Sequence, residues 1–122
     1  MKGVEHCGDY VSILMQGSGT YSIEAVIQQI STKNSNFLIL ENGLYGRKLS
    51  DICEKSKINY LVKSFPENHT IELNKVEDFL RNEFKSNDRH TTVGFIHGET
   101  SSGVLNRIEY IGPLIKKYLP SE

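Results

Sequence analysis

No apolar run in these 122 residues approaches the ~20 that a membrane-spanning helix needs. The stretch Met1 to Tyr10 also lacks the apolar core of a signal peptide. A cytoplasmic chain without a membrane partner is the expectation. An excess of charge is missing too. The formal net charge is -1 and the sequence pI about 6.4, which leaves neither a basic footprint for nucleic acid nor a polybasic patch for anionic lipid. Cysteine is scarce: Cys7 and Cys53 stand far apart and form no CxxC, so a disulfide framework or a zinc knuckle has little support and two free thiols are expected. Low-complexity tracts, interdomain linkers and sequence repeats beyond a recurrent βα unit are not seen. The length suits one ordinary domain with a modest core.

What is present is an alternation of short apolar runs with stretches of helical period, the pattern of βα units on a parallel sheet. Val11 to Met15 reads as a first strand, followed by a helix from near Gly19 with Ile23, Val26, Ile27 and Ile30 on one face. Phe37 to Leu40 is the second strand. A helix over Leu44 to Lys55 presents Tyr45, Leu49, Ile52 and Cys53, and Asn59 to Val62 is the third strand. A third helix buries Val76, Phe79, Leu80 and Phe84, with Asn74 as N-cap and Glu77 three residues on. Val93 to His97 is the fourth strand. The last helix turns Ile108, Ile111, Leu114, Ile115 and Tyr118 inward, and Asn106 with Glu109 repeats the capping pattern. Pro113 inside it predicts a kink or a late start, because proline removes a hydrogen bond and crowds the carbonyl four residues back.

Three glycine-containing loops follow strands, where open α/β sheets bind ligands. In Gly17, Ser18, Gly19, Thr20, small residues and hydroxyls precede a helix amino terminus. That suits a phosphate, and equally an ordinary tight turn with a hydroxyl cap. A dinucleotide module is an alternative, since Glu41 ends the second strand where a ribose-binding carboxylate would sit, although Ser22 occupies the place of the third glycine. Asn42 to Gly46 is either a simple turn or a platform on which Tyr45 stacks against a planar ligand. His97 to Gly103 is dense in donors and acceptors. His97 and Glu99 lack a third metal ligand nearby, and Ser101 lacks the strand, elbow and helix of a hydrolase nucleophile. No metal is expected, and His6, His69 and His90 read as solvent-facing.

Three blocks, ILMQGSGTYSIEAVI, NGLYGRKLSDICEKSKI and FIHGETSSGVLNRIEYIGPLIKKY, carry a resemblance over most of residues 11 to 118. They resemble successive βα segments of the class V, fold type I aminotransferases, most closely those that transaminate 2-aminoethylphosphonate with pyruvate, with the alanine or serine:glyoxylate enzymes as the alternative within the family. The fold implied is four βα units of the large domain, mostly parallel strands flanked by helices, so that residues 1 to 122 form a partial cofactor-binding domain. The cofactor implied is pyridoxal 5'-phosphate. Ser18, Gly19 and Thr20 match the phosphate-cradling turn, Tyr45 the aromatic residue that stacks on the pyridine ring, and Thr100 the hydroxyl that bonds its phenolic oxygen.

The resemblance also implies an amino donor and a 2-keto acid as small-molecule substrates, and a homodimer. It carries over no catalytic residue. The family's aspartate on the pyridine nitrogen and its Schiff-base lysine would fall after Glu122, and no lysine here matches that motif. These residues alone are therefore expected to be inactive. A non-enzymic remnant stays open as a third class.

Overall fold

In the computed structural model, residues 12–31, 35–84 and 90–119 are described. Seven residues with four consecutive buried apolar side chains, Phe37 to Leu40, make β1 (Ser35–Glu41), and such a run is stable only when covered on both faces. It lies at the centre of a three-stranded parallel sheet, between β2 (Tyr60–Ser64) and β3 (His90–Phe95). Phe37 stands opposite Tyr60 and Glu41 opposite Ser64 on one side, and Ser35 opposite His90 and Leu40 opposite Phe95 on the other.

The alternation of side chains along β1 sends them to two cores. Phe37 and Ile39 pack with Ile27 of α1 (Gly19–Ile30) and with Leu49, Ile52 and Cys53 of α2 (Leu44–Lys55). Leu38 and Leu40 pack with Val76 of α3 (Leu73–Asp78), with Phe79 and Leu80 of the π-helical turn Phe79–Glu83, and with Ile111 of α4 (Ile108–Tyr118). The turn brings Phe84 back against Phe79, ring centroids 6.2 Å apart, through a bond from Phe84 N–H to the Phe79 carbonyl. An antiparallel pair, β4 (Gly98–Glu99) and β5 (Val104–Leu105), projects beyond the end of β3.

The α/β expectation of parallel strands flanked by helices holds, and the second helix runs over Leu44–Lys55 as its period predicts. The four apolar residues assigned to the third helix, Val76, Phe79, Leu80 and Phe84, are all buried.

Several details differ, and Ile108, expected to turn inward, is 49% exposed. Of the predicted first strand, Val11 lies outside the described residues, and Ser12 to Met15 belong to no strand, with Ile13 82% and Leu14 98% exposed. They pair with no strand: the parallel sheet of the described residues consists of β2, β1 and β3. The third helix is capped at Glu72 instead of Asn74. The last is capped at Arg107, without a side-chain bond, because the Asn106 amide is drawn into the interior. That helix begins at Ile108 and includes Pro113, so the late start is not seen.

The α1 stripe also departs from expectation. Ile27 is buried, whereas Ile23, Val26 and Ile30 line an open groove of about 350 Å³ against Phe37, Leu49 and residues 92–96 of β3 and its end.

Candidate functional site

The carboxyl ends of the parallel strands carry the loops that hold the predicted site residues. Asn42 follows β1 and is buried. Its amide donates to the His69 carbonyl at 2.8 Å and to Asn106 Oδ1 at 2.9 Å, while Asn106 donates back to Asn42 Oδ1 at 3.0 Å and to the Ile96 carbonyl at 2.7 Å. Asn106 Oδ1 also accepts the Ile71 N–H at 3.0 Å. Two carboxamides thus tie the loops after β1, β2 and β3 to one another. In a dry interior this works because every donor and acceptor of the pair has a partner.

Gly43 then leads into α2, whose first-turn N–H groups need an acceptor from outside the helix. Glu99 supplies it. Its carboxylate is fully buried and accepts the N–H of Tyr45 at 3.3 Å, of Gly46 at 3.1 Å and of Ser101 at 3.4 Å, together with the Ser101 hydroxyl in a short bond. The Ser101 hydroxyl in turn accepts the Leu44 N–H at 3.0 Å. Only glycine fits at position 43: an added Cβ would stand 2.5 Å from Glu99 Cδ and 2.9 Å from Ser101 Oγ. Burial pushes the Glu99 pKa up, but the Ser101 hydroxyl and the three N–H groups outweigh it and hold the group below the ordinary carboxylate value.

The amino end of α1 is built differently. Gly17 takes a φ of +147°, open to glycine and strained for other residues, and Ser18 caps α1 in an extended conformation without a side-chain bond. Ser18 and Gly19 are exposed, and a Cβ on Gly19 would meet nothing within 4 Å. Ser22 N–H bonds the Ser18 carbonyl at 3.3 Å, the first bond of the helix, so the N–H groups of Gly19, Thr20 and Tyr21 face outward with the positive end of the helix dipole. An anion is the natural complement.

Tyr45 is 37% exposed, with the Lys48 ammonium 4.5 Å from its ring centroid, so it is a surface ring and not a core residue. Thr100 is exposed at the tip of the β4–β5 hairpin. Glu99 and Ser101 bring the Tyr45 and Thr100 segments together. Ser18 to Thr20 are joined to neither by a hydrogen bond, and their helix packs on α2. Glu41 is engaged within the fold, accepting the Ser64 hydroxyl at 2.8 Å and the Ser50 hydroxyl at 3.4 Å. Among the described residues no cluster of three His, Cys, Asp or Glu could hold a metal, and no helix is long and apolar enough to cross a membrane.

Sequence reasoning missed Glu99, Asn42 and Asn106 as the residues that shape this end of the sheet. Glu99 was weighed only beside His97, and its partners Tyr45 and Gly46 lie more than 50 positions away, beyond any local pattern. The one sequence signal is a lone carboxylate set among glycine, threonine and serine with no cation beside it.

Comparison with known proteins adds what geometry alone does not. No protein-family profile matches the chain. It is 39% identical over 109 residues to a bifunctional phosphonoacetaldehyde hydrolase/aminoethylphosphonate transaminase of Clostridioides difficile strain 630, a match covering 89% of this chain and 16% of that protein. It is 38% identical over 110 residues to a 2-aminoethylphosphonate–pyruvate transaminase of Bacteroides fragilis strain YCH46, covering 90% of this chain and 29% of that protein. The fold superposes on the crystal structure of alanine–glyoxylate aminotransferase from Nostoc sp. with a TM-score of 0.70 at 24% identity, over 84% of this chain and 26% of that one. The chain thus spans less than a third of the length of the relatives it matches, and it is homologous to that part of the class V aminotransferases.

Proposed function

We propose that this chain forms the cofactor-binding loops of a pyridoxal 5'-phosphate-dependent aminotransferase, and that the whole protein transfers the amino group of 2-aminoethylphosphonate to pyruvate, giving phosphonoacetaldehyde and alanine. The observation that carries this reading is the identity of 38 to 39% along nine-tenths of the chain to transaminases named for that reaction. The residues fit such a cofactor. An exposed, uncapped helix end with three outward N–H groups and the Ser18 hydroxyl suits a phosphate dianion, and an exposed ring at Tyr45 with an exposed Thr100, on segments that both bond Glu99, suits a planar heterocycle with a phenolic oxygen.

When bound, the cofactor supplies an electron sink for the bonds at the amino-bearing carbon. The residues of this chain hold it. Gly19 and Thr20 N–H groups and the Ser18 hydroxyl would donate to the phosphate, Tyr45 would shield the ring from water, and the Thr100 hydroxyl would donate to the phenolic oxygen. Lys48 lies over Tyr45, and Lys55, Lys116 and Lys117 sit in the last turns of α2 and α4, so none is offered as the amine that bonds the cofactor covalently. The 122 residues alone are accordingly expected to bind without turnover.

Calorimetric titration tests the reading. Saturable binding of pyridoxal 5'-phosphate, weakened by Ser18→Asp, is the expected result. Saturable NAD binding that is lost in Glu41→Ala, with no response to pyridoxal phosphate, would transfer the site to the dinucleotide class.

A further inference from the structure

A buried carboxylate at this end of the sheet accepts four hydrogen bonds and has no role in binding or catalysis so far. Glu99 is fully buried, and among the described residues no lysine or arginine forms an ion pair with it. Its charge is balanced instead by three N–H groups and one hydroxyl, drawn from two segments more than 50 residues apart. One segment is the first turn of α2, which carries Tyr45. The other is the β4–β5 hairpin, whose tip carries Thr100. Gly43 leaves room for the carboxylate beside that turn, since a Cβ there would collide with the Glu99 side chain. Ser101 doubles the link, since its hydroxyl donates to Glu99 while accepting the Leu44 N–H.

We propose that Glu99 is a positioning residue, a buried clamp that fixes the Tyr45 ring relative to the Thr100 hydroxyl before any ligand arrives. The relevance of Tyr45 and Thr100 rests on the aminotransferase reading; the clamp itself rests on the geometry alone. A carboxylate is required because all four approaching groups are donors. An amide of the same shape would turn an NH₂ toward N–H groups that need an acceptor. Holding a ring and a hydroxyl in a fixed relation removes the ordering cost that a loose site would meet on binding. The clamp has a second effect: it consumes the anion-binding capacity of the α2 end, so that the α1 end remains the place for a phosphate.

Glu99→Gln in the 122-residue chain separates the clamp from mere stability. The first readout is amide hydrogen exchange at Tyr45, Gly46 and Ser101, expected to speed by ~10-fold or more while amides of β1 keep their protection. The second is a pair of calorimetric titrations. Affinity for pyridoxal 5'-phosphate should fall ~10-fold, as expected for losing a charged acceptor in a preorganised site. Affinity for inorganic phosphate, which reads the α1 end, should stay unchanged. A purely structural role would weaken both ligands together or neither. Exchange unchanged at those three amides overturns the proposal. So does an equal loss of both affinities.

If the unsubstituted chain fails to bind pyridoxal phosphate, the aminotransferase reading fails while the exchange result still decides the clamp. Should Glu99→Gln not fold, Ser101→Ala is the milder variant. It removes the hydroxyl link to Leu44 and is expected to speed exchange at Leu44 and Tyr45; unchanged exchange there counts against the clamp.

Discussion

The amino ends of α1 and α2 are the same chemical object with opposite fates. Each is a twelve-residue helix entered from a glycine-containing loop, without a side-chain bond from its own cap residue. At α2 the free N–H groups are met by a buried carboxylate from the β4–β5 hairpin. At α1 they face outward. A helix terminus must find an acceptor somewhere, and the difference shows the two available solutions: an internal anion that makes structure, or an external one that makes a binding site. The two ends differ in packing as well. The stripe on α2 is buried, with Leu49, Ile52 and Cys53 in the core, whereas α1 commits only Ile27 and leaves Ile23, Val26 and Ile30 along an open groove.

The largest effect is expected from emptying the closed end. Glu99→Ala strands the N–H groups of Tyr45, Gly46 and Ser101 in a dry pocket and should cost about 3 kcal/mol, read as a lowered urea midpoint. A loss below ~1 kcal/mol would mean that water replaces the carboxylate and that the two helix ends are less different than they look.

Removing the charge by pH is a gentler version of the same break. The folded Glu99 pKa lies below its ordinary value of 4.5, so its contribution is complete above that value and is lost as pH falls through the folded pKa. Stability should therefore decline as the medium is acidified below about pH 4.5, and that decline should be shallower in Glu99→Gln. Equal slopes in the two proteins would remove Glu99 from the account. Glu77, held at about 2 by Tyr118 and by Lys117, contributes in the same direction but is solvent-screened.

Filling the open end sharpens the contrast. Ser18→Asp should stabilise α1 by ~0.5–1 kcal/mol through capping and the helix dipole, yet weaken phosphate binding, because the new carboxylate claims the same N–H groups. Stability and affinity moving together would contradict the competition. On the groove, Ile27→Ala should cost ~2–4 kcal/mol as a core deletion. Val26→Lys, at 55% exposure, should stay within ~0.5 kcal/mol and lower light scattering by breaking up the apolar surface beside the β3 edge. A large loss from Val26→Lys would show that the groove is closed in solution.

Much of the fold was legible because it rests on local periodicity. Four consecutive apolar residues from Phe37 to Leu40 can only be a doubly covered strand once helices flank them, and the spacing of Leu49, Ile52 and Cys53 admits one helix face. The stripe from Val76 to Phe84 survived even where the helix widened into a π turn, since burial depends on which residues share a face more than on the winding between them. Capping was less legible. Asn106 and Glu109 have the spacing of a box, but the Asn106 side chain makes four hydrogen bonds inside against one at a helix end, and the interior won. For Ser12 to Met15, strand composition was visible and strand formation was not, because a strand exists only where another offers its backbone.

By itself, then, the sequence determined the order of helices and strands, the two-sided burial of β1 and the glycines at the loops, since each follows from the chemistry of near neighbours along the chain. Only the tertiary structure decided that a carboxylate at position 99 would close one helix end and leave the other open. That choice joins residues more than 50 positions apart, and hydrogen-bond partners across such a distance are set by how the sheet and its helices pack.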